Sequence, residues 1–104
     1  MSWVDAADAA LPDETVLGVE VGGTLVALAR VEGRWHAVES WCTHAECPLS
    51  DGWLEGRAIR CACHGSLFDL ETGAALAGPA VEPVRTFETR VAGDRVQLLL
   101  DSRA

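Results

Sequence analysis

The chain contains no run approaching twenty uninterrupted apolar residues, so no membrane-spanning helix is written into it. Its opening residues, Met1-Ser2-Trp3-Val4-Asp5, lack the positive charge and apolar stretch of a secretory leader. Together these absences lead us to expect a cytoplasmic protein with no membrane attachment. Basic residues are scarce, eight against sixteen acidic ones, for a formal net charge of −8. That balance argues against a nucleic-acid surface; it suits either plain solubility or a protein partner with a basic docking face. No internal repeat or low-complexity segment occurs, and there is no glycine-rich phosphate loop, Ser-His-Asp arrangement, or flavin or nicotinamide motif. At 104 residues the chain fits one domain with a modest core and leaves no room for a second, catalytic one.

What is present is mostly short β-strand patterning broken by turn residues, which predicts an all-β fold. Residues Trp3 to Ala10, rich in alanine and aspartate, read as a short irregular or helical entry ended by Leu11-Pro12-Asp13. Thr15 to Val21 runs into Gly22-Gly23, a hairpin signal, and Thr24 to Val31 follows as an apolar strand. Arg34 to Val38 comes after a turn at Glu32-Gly33. Further strands are predicted at Arg57 to Arg60, Leu67 to Leu70, Ala74 to Leu76, Val84 to Val91 and Arg95 to Leu100. Phe87, Thr89 and Val91 alternate with Glu88 and Arg90 as in a half-exposed strand. Between residues 40 and 79, prolines and glycines punctuate the chain densely.

Chemistry concentrates in that segment. Cys42-Thr43-His44 is followed, after sixteen residues, by Cys61-Ala62-Cys63-His64. Each box offers a soft thiolate and an imidazole at short spacing. Two cysteines with two histidines suit a [2Fe-2S] cluster in which each iron takes one kind of ligand. They also suit a structural zinc, although no Cys-x-x-Cys knuckle is present. Free cysteine is often simply buried, but four of them with two histidines in so short a window argue against that here. His36, beside Trp35, reads as a structural or surface histidine. Trp41 and Trp53 read as shields around the metal segment. Asp51, Glu55, Asp69 and Glu71 read as ordinary solvated turn carboxylates.

The letters around the boxes, Cys42-Thr43-His44-Ala45-Glu46-Cys47 and Cys61-Ala62-Cys63-His64-Gly65-Ser66, resemble those of Rieske proteins, and the resemblance extends over roughly residues 3 to 100. It implies an antiparallel β base domain (1–39 and 80–104) carrying an inserted, smaller cluster-binding subdomain (40–79). It implies one [2Fe-2S] cluster, with Cys42 and Cys61 on the inner iron and His44 and His64 on the outer one. Replacing two thiolates by neutral imidazoles removes negative charge and raises the potential relative to all-cysteine clusters. The resemblance further implies a Cys47–Cys63 disulfide between the two cluster loops. Ser66 matches a serine that donates a hydrogen bond to a bridging sulfide, whereas Phe68 stands where a tyrosine is usual. Gly78-Pro79-Ala80 is similar to the proline loop that covers the cluster. The implied function is that of a monomeric ferredoxin, not itself an enzyme, carrying electrons from a reductase to a terminal oxygenase. The alternative is a small subunit of a larger redox enzyme, of the nitrite reductase or arsenite oxidase type.

Overall fold

The computed structural model describes residues 2–40, 47–63, 65–78 and 80–100. Eleven strands make up three antiparallel sheets among these residues. In chain order they are β1 (Ser2–Asp8), β2 (Thr15–Val21), β3 (Thr24–Val31), β4 (Arg34–Glu39), β5 (Trp53–Glu55), β6 (Ala58–Arg60), β7 (Leu67–Asp69), β8 (Ala75–Ala77), β9 (Thr86–Phe87), β10 (Thr89–Ala92) and β11 (Arg95–Leu100). The sheets run β1-β11-β10, β2-β3-β4-β9 and β5-β6-β7-β8. A single turn of 3-10 helix covers Leu49–Asp51.

The second sheet is built on two tight hairpins. Gly22 and Gly23 both take positive φ, 57° and 80°, between the paired residues Val21 and Thr24. That geometry matches the right-handed strand twist and is open to glycine without strain. Strand β3 is buried on both faces, which explains its continuous apolar run. Val26 and Leu28 face a core with Ala7, Val21, Ala37, Phe87, Val96 and Leu98. Ala27, Ala29 and Val31 face a second core with Val38, Cys47, Leu49, Ile59, Cys61, Phe68 and Leu70. Strand β3, with Val38 of β4, therefore joins the β5–β8 sheet to the rest of the molecule.

Two expectations are corrected. The entry segment is neither irregular nor helical but the edge strand β1, paired with β11 from Ser2↔Leu100 to Asp8↔Arg95. Cross-strand contacts override the local alanine preference: Arg90 lies 4.2 Å from the Trp3 ring and Gln97 donates to Asp5. The single strand expected over Val84 to Val91 is broken at Glu88. Phe87 pairs with Ala37 of β4, whereas Thr89 pairs with Leu98 of β11, so the chain changes sheets there. Phe87 is buried as predicted, but Val91 is exposed. Strand β5 was not anticipated, because three residues are too few to show a period.

Candidate metal centre

Three loops converge beside the second core. The ends of the first are tied together by Ser40, a fully buried residue. Its carbonyl accepts the Leu49 N–H, and its hydroxyl accepts the Ser50 N–H at 3.2 Å. The end of β4 is thus joined directly to the 3-10 turn. Cys42, His44 and Trp41 lie outside the described residues. Cys47 is described and buried.

The second loop connects β6 to β7. The Cys61 N–H donates to the Ser66 carbonyl at 2.7 Å, and the Gly65 N–H donates to the Cys61 carbonyl at 3.1 Å. The Cys61 side chain is completely buried, whereas Cys63 is exposed. His64 lies outside the described residues. A disulfide joins Cys47 to Cys63, so the first and second loops are covalently linked. The sulfurs of Cys47, Cys61 and Cys63 lie within 4.8 Å of one another. A bonded disulfide offers no thiolate, so among the described cysteines only Cys61 is free. A buried free cysteine suits one of the two thiolates that a Rieske cluster takes.

The third loop, Gly78 to Ala80, lies against the second. Ala80 N–H donates to Ser66 Oγ at 3.2 Å. Ser66 Oγ accepts there, and no acceptor for its own hydroxyl proton is found among the described residues. Ser66 is completely buried, so such a partner matters energetically. Gly78 has φ +92°, and a Cβ on it would come within 2.5 Å of Ser66 Cα. Pro79 lies outside the described residues. Phe68 is completely buried in the same core as Cys61, opposite Ile59 in the sheet.

Other candidates separate. His36 on β4 lines a cleft of about 180 Å³ with Val31, Glu32, Arg34, Arg57 and Glu71. Burial holds its pKa below the usual histidine value, partly offset by the Glu71 carboxylate. Trp53 is no buried shield, being 49% exposed, with its indole N–H on Glu55 Oε2 at 2.9 Å. Glu55 is not a free turn carboxylate either, since it also pairs with Arg60. Asp69 accepts from the Thr72 hydroxyl at 2.8 Å, which holds its carboxyl below the ordinary value. Ser40, Glu55 and Arg60 were missed in the sequence. The adjacency of Arg60 to Cys61 was their one signal.

The Rieske [2Fe-2S] domain family matches residues 2–88. The ferredoxin component of a naphthalene 1,2-dioxygenase system from Pseudomonas aeruginosa is 42% identical over 97 residues, covering 92% of this chain and 93% of that one. The ferredoxin of carbazole 1,9a-dioxygenase from Nocardioides aromaticivorans IC177 superimposes with a TM-score of 0.89 at 30% identity, over 94% of this chain and 97% of the other. A structure titled as a complex of reduced oxygenase and oxidized ferredoxin in carbazole 1,9a-dioxygenase matches with a TM-score of 0.86 at 33% identity, over 92% and 91% of the two chains. Among the described residues no helix is long and apolar enough to cross a membrane. Matched across most of its length by that domain and along nearly all of it by ferredoxins that carry it, the chain belongs to the Rieske [2Fe-2S] family.

Proposed function

We propose that this protein is a one-electron carrier, accepting electrons from a reductase and delivering them to a terminal oxygenase. It is an electron-transfer component and not a catalyst. The observation that carries the reading is likeness along almost the whole chain to proteins named as ferredoxin components of dioxygenase systems. That likeness favours a separate carrier over a small subunit of a larger redox enzyme. The likeness to the ferredoxin found in complex with an oxygenase supports that kind of acceptor.

In this reading one [2Fe-2S] cluster is held by Cys42 and Cys61 as thiolates and by His44 and His64 through neutral imidazole nitrogens. When bound, the cluster supplies one reversible electron. Residues 40–79 act as the cluster-binding subdomain on a base formed by 1–39 and 80–104. Strand β3 ties the two through a shared core, so they would move as one body. Ser66 directs its free hydroxyl proton towards the cluster, favouring the reduced, more negative state. Phe68 contributes packing and no donor. The protein works as a cytoplasmic monomer.

The purified protein should be red-brown, with about two irons and two labile sulfides per chain. It should be reduced by a ring-hydroxylating dioxygenase reductase and reoxidised by the matching oxygenase. Stoichiometric zinc without visible absorption, from cells grown with ample iron, would sink the assignment.

A further inference from the structure

The β5-β6 register pairs Trp53 with Arg60 and Glu55 with Ala58. Alternation along each strand then puts Trp53, Glu55 and Arg60 on one face, while Leu54 and Ile59 turn to the core. On that outer face the Arg60 guanidinium uses donors in two directions. Nε and Nη2 take both Glu55 carboxylate oxygens, at 2.5 and 3.0 Å. Nη1 donates to the Gly65 carbonyl at 2.5 Å. Glu55 Oε2 also accepts the Trp53 indole N–H. This is the bidentate geometry for which arginine is suited and lysine is not.

A half-exposed ion pair such as Arg60–Glu55 ordinarily contributes little to stability. Its third bond sets this one apart. Gly65 follows residue 64 directly, has φ +78°, and has the widest torsional freedom of any residue type. Its N–H is held by the Cys61 carbonyl and its C=O by Arg60. Both peptide groups flanking Gly65 are therefore tethered, one to each of the two residues that lead into the loop. Without Arg60 the second of these tethers is missing.

We propose that Arg60, braced by Glu55 and Trp53, is a positioning residue that fixes the backbone at Gly65 and thereby the second cluster loop on which cluster geometry and retention depend. The inference rests on the proposed assignment of Cys61 and His64 as ligands. Glu55 orients Arg60, and Trp53 orients Glu55. Because the brace acts as a unit, removing either end of the ion pair should have the same consequence.

The test compares wild-type holoprotein with Arg60→Ala, Glu55→Ala, the double variant and Arg60→Lys. Electron paramagnetic resonance of the dithionite-reduced proteins reads ligand geometry, and bleaching under an iron chelator reads retention. Arg60→Ala and Glu55→Ala should each broaden the resonance and speed bleaching several-fold. The double variant should be no worse than Arg60→Ala, and Arg60→Lys should lie between wild type and Arg60→Ala. If Arg60→Ala fails to fold, Glu55→Ala and Arg60→Lys carry the comparison. Unchanged resonance and bleaching in the variants of a wild type with a normal cluster would overturn this inference alone. So would additive losses in the double variant, or a lowered unfolding temperature with an unaltered resonance. A wild type lacking iron-sulfur absorption would overturn the ligand assignment and the inference with it.

Discussion

Breaking the Cys47–Cys63 crosslink should destabilise the protein by an amount that the separation of the two residues sets. They are 16 residues apart. In the loop-entropy account, closing a loop of this size lowers the unfolded-state entropy enough to contribute about 3 kcal/mol at 25 °C. Unfolding entropy is roughly 2.1 cal/mol/K per residue, so for 104 residues that loss corresponds to a fall of about 14 °C in Tm. Cys63 is exposed, so Cys63→Ala removes the crosslink with little loss of packing. Cys47 is only 5% exposed, and Cys47→Ala should lose a further ~1 kcal/mol of buried contact. The double variant should match Cys47→Ala, and wild type under a disulfide reductant should match Cys63→Ala. Circular dichroism and calorimetry on holoprotein, at one scan rate throughout, would measure all four. A shift below about 4 °C in Cys63→Ala would refute the reasoning. It would mean that another constraint, such as ligands still joining the same two loops, outlasts unfolding.

Ser66→Ala removes both the acceptor for Ala80 N–H and the free hydroxyl proton, so voltammetry should show the reduction potential falling by tens of millivolts. Phe68→Tyr should raise the potential by a comparable amount if its hydroxyl reaches a cysteine sulfur; a lower Tm with an unmoved potential would show that the ring edge points elsewhere. Gly78→Ala must place a side chain against the Ser66 backbone at φ +92°, and a loss of about 1–3 kcal/mol in denaturant unfolding is expected. His36 has its folded pKa lowered by burial, so the unfolded chain binds more protons below pH 6.5. The stability from keeping His36 neutral is present above pH 6.5 and is lost as pH falls through the lower folded value. His36→Gln should flatten that part of the stability–pH curve.

Most strands were legible because their signals are local. Gly22-Gly23 and Glu32-Gly33 mark turns whose backbone demands positive φ, and the apolar run of β3 marks a strand covered on both faces. Strand β1 was not legible, since its alanines and aspartates carry no β signal and only β11 makes it a strand. The break at Glu88 was hidden for a similar reason. The alternation of Phe87, Thr89 and Val91 continues unbroken while the pairing partner changes from β4 to β11.

The two Cys/His boxes marked a metal centre by themselves, because ligand type and short spacing are local properties, and the resemblance carried by the letters around them pointed to [2Fe-2S] over zinc. Geometry decided the rest. Folding brings the Cys47 and Cys63 sulfurs into bonding distance across 16 residues and leaves Cys61 as a buried free thiol beside them. It turns the Ala80 N–H onto Ser66 Oγ, across fourteen residues. It also converts Glu55, Trp53 and Arg60 into a brace through the β5-β6 register, although in sequence they read as a turn carboxylate, a shielding aromatic and a strand residue. Hydrogen bonds between loops depend on where strands of different sheets leave their ends, and no local pattern encodes that.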